Sequence, residues 1–73
     1  MQNDFEIGMK VTLDGEKGLV VRSPSKGDDD VTGWILWDTP KPNDVEDWRG
    51  LWGTFKQSGG EVLPPETKFS YIN

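Results

Sequence analysis

All four tryptophans of this 73-residue chain lie between positions 34 and 52, as Trp34, Trp37, Trp48 and Trp52. An indole is large, rigid and mostly apolar, and its one N–H needs a partner. A chain this short buries only about 60% of the surface its unfolded form exposes. Small domains therefore rely on disulfides, metals, partners or unusually large apolar side chains. Cysteine and histidine are both absent here. That removes disulfides, thiolate and imidazole metal sites, and the imidazole general base. Aromatic packing or self-association is left to complete a core. The clustered indoles either build that interior or present a contact surface.

The spacing within the cluster narrows the choice. Gly33-Trp34-Ile35-Leu36-Trp37-Asp38 reads as a strand that is apolar on both faces. Successive side chains of a strand alternate, so Trp34 and Leu36 point one way while Ile35 and Trp37 point the other. The two indoles cannot share a face. One joins the core, and the other needs cover from a second layer, a partner or a bend.

The remaining segments read as mostly β. Phe5, Ile7, Met9, Val11 and Leu13 alternate with polar residues or glycine, which predicts a strand with one apolar face. Gly8 permits a bend or bulge within it. Asp14-Gly15 predicts a hairpin turn into a second strand, Leu19-Val20-Val21-Arg22. Residues 23–31 hold Pro24, Ser25, Gly27 and Asp28-Asp29-Asp30, and read as a mobile, solvated loop. Pro40 and Pro42 break the chain. Beyond them, Asn43 as cap, acids at 44, 46 and 47, and Val45, Trp48, Leu51, Trp52 and Phe55 at helical spacing predict a short helix over 44–57. Gly50 and Gly53 oppose that helix at about 1 kcal/mol each, and a strand from Trp48 to Lys56 is the competing reading. Phe69 and Tyr71 alternate with Lys68 and Ser70 as a final edge strand. The expected fold is one small α+β domain over residues 1–73, mostly β. It is a twisted antiparallel sheet or partial barrel of four to five strands with one short helix.

Gly8-Met9-Lys10-Val11, followed by Gly15-Glu16-Lys17-Gly18-Leu19-Val20-Val21, resembles the opening hairpin of SH3-like small barrels, with the cadence of KOW and Tudor-type modules. The likeness covers about a third of the chain and ends after Val21. It implies a small barrel and a non-catalytic binder of proteins or nucleic acid, and it brings no site residues with it.

Charge bears on the partner. The formal net charge is −5, and the eight Lys and Arg residues stand singly. Nucleic acids and acidic membranes are bound by clustered cations that displace counterions, so both are disfavoured. Residues 1–6 lack a basic stretch followed by an apolar one and read as no signal peptide. The longest apolar run, Trp34 to Trp37, is far too short to span a bilayer. A cytoplasmic protein is expected.

The candidate chemistry follows from these residues. Asp38, Asp44, Glu46 and Asp47 stand near the tryptophans in sequence and suit an aromatic, acidic surface for a cationic group. The simpler reading makes Trp48 and Trp52 core anchors. Asp28-Asp29-Asp30 lacks the spaced oxygens of a calcium loop and reads as a solvated charge run. Gly15-x-x-Gly18 lacks the Lys-Ser/Thr of a phosphate loop, and the serines have no histidine base. The expected function is a non-catalytic module for a protein partner or self-association, with Trp34 or Trp37 as anchor and Asp38, Asp44, Glu46 and Asp47 as polar rim. No cofactor or metal is expected. One alternative is a small acidic inhibitor or nucleic-acid mimic of the phage or mobile-element kind. A second is a hydrolase using Asp38 and Asp47 as paired carboxylates.

Overall fold

The computed structural model describes residues 4–22, 32–40 and 45–72. Its centre is an antiparallel sheet of five strands: β1 (Lys10–Leu13), β2 (Glu16–Val21), β3 (Trp34–Trp37), β4 (Val45–Asp47) and β5 (Glu61–Val62). Their order across the sheet is β4-β3-β2-β1-β5. One helix, α1 (Trp52–Gln57), completes the α+β, mostly β architecture. The loop expected over 23–31 lies outside the described residues.

The hairpin forms where expected. Asp14 and Gly15 both take positive φ, 52° and 82°, which is the turn geometry that matches strand twist. Val11 then faces Gly18, and Lys10 faces Leu19. The first strand is shorter than its alternation predicts. Gly8, at φ 93°, turns the chain, and both Gly8 and Met9 bond to the backbone of Val20. Phe5 reaches the core from this turn, while Ile7 is left exposed.

Alternation gives the sheet two faces. The inner one carries Val11, Leu13, Val20, Ile35 and Trp37, all buried, and Phe5 and Phe55 close over them. Aromatic edges hold this layer together. Phe55 lies 5.3 Å from Phe5 and 5.4 Å from Trp48 between ring centroids, and Phe5 lies 4.9 Å from Trp52. Such edge-to-face pairs add about 0.5–1.5 kcal/mol each beyond area burial.

The predicted helix over 44–57 is corrected in its first half. Val45–Asp47 is an edge strand pairing with β3, and the helix begins only at Trp52. Glu46 and Asp47 do not serve a helix dipole. Gly50, at φ 73°, breaks any continuous helix, and the backbone N–H of Leu51 closes a turn onto Trp48. The cap is Leu51, which has no side-chain bond to offer. Asn43 and Asp44 lie outside the described residues.

The final strand expected at 69–71 is also corrected. Pro64-Pro65 ends β5 after two residues, and the chain then crosses the outer face of the sheet without ladder pairing. Lys10 Nζ donates to the carbonyls of Pro65 (2.6 Å) and Thr67 (2.5 Å). The Asp38 carboxylate accepts the backbone N–H groups of Ser70 (2.7 Å), Tyr71 (2.7 Å) and Ile72 (3.1 Å). These bonds do the work a strand ladder would have done.

That arrangement sets a pH dependence. Partial desolvation acts to raise the Asp38 carboxyl, but the three backbone N–H bonds and the charge of Lys17 outweigh it and hold it below its ordinary 3.8. A carboxyl depressed in the folded state stabilises fully above its unfolded value and loses that contribution as pH falls through the native one. The amide resonances of Ser70, Tyr71 and Ile72 are expected to keep their hydrogen-bonded shifts at neutral pH. Below pH 3.8 they should collapse toward coil values, ahead of those of Val20 and Ile35. Asp38→Asn should release them at neutral pH. Segment shifts that ignore both acid and the substitution would remove Asp38 as the fastening.

Candidate protein-binding cleft

The two indoles of β3 lie on opposite faces, as a regular strand requires. Trp37 is inside, 8% exposed, and Trp34 lies half-buried on the outer face. Each has an acid from β4 beside it, because β4 pairs Asp47 with Trp34 and Glu46 with Ile35. Asp47 therefore shares the face of Trp34, and Glu46 shares the face of Trp37.

On the inner face the sheet opens into a cleft of about 460 Å³ where the β1–β2 turn, the end of β3 and the residues after β4 meet. Trp37 and Trp48 form its aromatic walls, and Leu13 is its apolar base. Asp14, Glu16 and Glu46 bring three carboxylates to its lining, with Thr39 and Ser58 adding hydroxyls. Both indoles donate to one oxygen. Trp37 Nε1 lies 3.3 Å from Glu46 Oε1, and Trp48 Nε1 makes a shorter bond to the same atom. Two donors on one oxygen fix the direction of this exposed carboxylate.

Local sequence explains each placement. Trp37 lies across from Gly18, where a Cβ would come within 2.6 Å of Ile35 Cγ2 and 2.9 Å of Trp37 Cε3. The missing side chain makes room for the ring. Trp48 follows Glu46 by two residues, so strand alternation returns it to the same side, and its backbone N–H donates to Gly33 O at 2.8 Å. Phe55 supports its ring from below.

The outer-face pair is occupied by the chain itself. The Arg49 guanidinium lies 4.7 Å from the Trp34 ring centroid. It also grips Asp47 bidentately, Nε to Oδ1 and NH2 to Oδ2, both at 2.9 Å. The Arg49 side-chain bonds, and then its backbone N–H, hold the Asp47 carboxyl below its ordinary value. The Trp34 Nε1–H is buried without a partner among the described residues.

Of the six residues singled out from sequence, Trp37 and Glu46 are brought together in the cleft. Trp34 and Asp47 form the separate outer-face cluster, Asp38 fastens the C-terminal segment, and Asp44 lies outside the described residues. Asp38 and Asp47 stand toward opposite ends of β3, about 13 Å apart along the strand. Both carboxyls are lowered, whereas a general acid needs a raised one. Sequence reasoning missed Asp14 and Glu16, and favoured Trp48 as a core anchor over a place in an aromatic, acidic surface. Trp48 does both, packing on the core and lining the cleft. The register of β2 against β3, which sets Gly18 against Trp37, places those turn acids beside the indole, and no local signal in the sequence gives it.

Among the described residues no three or more acids converge as a metal-holding group, and no helix is long and apolar enough to cross a membrane. Compared with known proteins, the chain matches no family model, no curated protein and no solved structure.

Proposed function

We propose that this chain is a non-catalytic protein-binding module of the cytoplasm whose contact surface is the cleft between Trp37 and Trp48. The observation that carries the reading is the single Glu46 oxygen held by both indole N–H groups. Aromatic anchors beside a fixed charge are what concentrate binding energy at protein interfaces. The acids at the lining give the negative potential that steers a basic partner. The resemblance of the opening hairpin to KOW and Tudor-type modules points in the same direction.

A photo-crosslinking residue at exposed Ser58, on the cleft, tests this directly. The same residue at Tyr71, on the C-terminal segment, is the control. Irradiation in the cells that express the protein is expected to give discrete adducts from position 58 only, and Glu46→Lys should abolish them. Circular dichroism of that variant checks its fold, and Glu46→Gln, which retains an acceptor oxygen, should reduce rather than abolish the adducts. Adducts that are equal from both positions, or indifferent to Glu46→Lys in a folded variant, would retire the proposal.

A further inference from the structure

Each face of the β3–β4 pair sets an indole beside an acid, and on the outer face that pair already holds a cation. On the outer face an indole, Trp34, and the acid opposite it, Asp47, hold the guanidinium of Arg49 by stacking and by a bidentate pair. On the inner face an indole, Trp37, and the acid diagonal to it, Glu46, stand together with a second indole, Trp48. Among the described residues no lysine or arginine lines that cleft, and no ion pair reaches Asp14, Glu16 or Glu46. We infer that the cleft takes an unmethylated arginine side chain of the partner protein, in the role that Arg49 fills on the other side. This rests on the reading of the cleft as the contact surface.

The donor and acceptor inventory favours this occupant. A carboxylate has about four lone-pair sites, and the indole N–H groups use two of those on Glu46, both on Oε1. The two that remain, both on Oε2, accept guanidinium N–H groups at that single oxygen. Guanidinium is planar and weakly hydrated, so it stacks on an indole at small desolvation cost, while an ammonium keeps its water and pairs as a point charge. An exposed ion pair alone is worth little. Here the carboxylate is already oriented before binding, and the aromatic walls supply the contact that charge alone does not. The cleft volume of about 460 Å³ leaves room for the aliphatic stem as well as the head group. The carboxylates of Asp14 and Glu16 add negative potential at the lining.

The experiment uses the full chain, labelled with nitrogen-15, and follows the four indole N–H resonances. The probes are blocked single residues: N-acetyl-arginine methylamide, the lysine and citrulline equivalents, and the ω,ω-dimethylarginine form. Citrulline keeps the shape and loses the charge. Dimethylation keeps the charge and removes N–H groups from the fork. Arginine is expected to move the Trp37 and Trp48 resonances and leave Trp34 unmoved. The other three probes should bind at least about tenfold more weakly. Glu46→Gln should reduce arginine affinity by a similar factor of about ten while the starting indole shifts stay near native, because the amide oxygen still accepts them. Equal binding of arginine and citrulline, tighter binding of the dimethylated form, or movement centred on Trp34 would overturn the inference. Its failure is separable from that of the module reading. Adducts from Ser58 that excess arginine peptide does not compete away would leave a binding cleft with another occupant. Arginine-selective shifts without adducts would leave a guanidinium site that is not a protein interface.

Discussion

Phe55→Ala is expected to remove a large part of the protein's folding stability at 25 °C. The helix that carries Phe55 has six residues, a leucine at its cap position and no acid in its first turn. Isolated helices of that length do not persist in water, so its stability comes from tertiary contact. Phe55 is its one buried residue, fully enclosed, with its ring against Phe5, Trp48 and Trp52. Truncating a buried phenylalanine costs about 3–5 kcal/mol, against a total of about 0.05–0.15 kcal/mol per residue for a natural domain. Urea unfolding followed by tryptophan fluorescence and far-ultraviolet circular dichroism measures the loss. Phe55→Leu keeps most of the apolar volume and should lose less than half as much. The Trp48 side of the cleft stands on this ring, so indole shifts should disperse together with the helix signal. A loss for Phe55→Ala below about 1 kcal/mol would mean that the helix is held by something other than this burial.

Gly33→Ala is expected to be nearly as damaging, through the backbone. Gly33 has a φ of 133°, a region that residues with a Cβ rarely enter. A Cβ there would also stand 2.7 Å from Arg49 Cα and 2.8 Å from Arg49 N. Those are main-chain atoms, so no rotamer change relieves the contact. Forced backbone conformations cost about 1–3 kcal/mol, and overpacking adds a similar amount. For a domain of this size each kcal/mol lowers the melting temperature by about 4–8 °C, so a fall of at least about 10 °C is expected. The consequence reaches both faces of β3–β4. Gly33 O accepts the backbone N–H of Trp48, and Arg49 fills the outer cluster with Trp34. Thermal unfolding, with nitrogen-15 spectra of the Trp34 and Trp48 indoles, checks both parts. An unchanged melting temperature would show that the turn has slack the close approach conceals.

Why some elements were legible and others not follows from the range of the forces involved. The hairpin was readable because Asp14-Gly15 and the flanking alternation are local signals that agree. The segment over 44–57 was misread because its local signals conflicted. Acids followed by apolar residues at helical spacing suggested one helix, while Gly50 argued for a break, and the choice belonged to partners distant in sequence. Val45 to Asp47 gained a ladder with β3, and Glu46 gained two indole donors, which together outweigh a weak helical preference. Asp38 carried no local mark of its role. The three N–H groups it binds lie more than thirty positions away in sequence.

The amino-acid sequence alone determined that this protein is a small, acidic, mostly β fold without thiol or imidazole chemistry. It also determined that Trp34 and Trp37 look in opposite directions, because the alternation of a strand is a property of the local backbone. Only the tertiary structure decided which indole is inside. It also decided which acid stands beside each, and that Arg49 completes the outer cluster while Glu46 takes both indole N–H groups on the inner one. Those outcomes depend on the register of β4 against β3. Register is set by side chains brought together from separate segments, and no single stretch of chain specifies it.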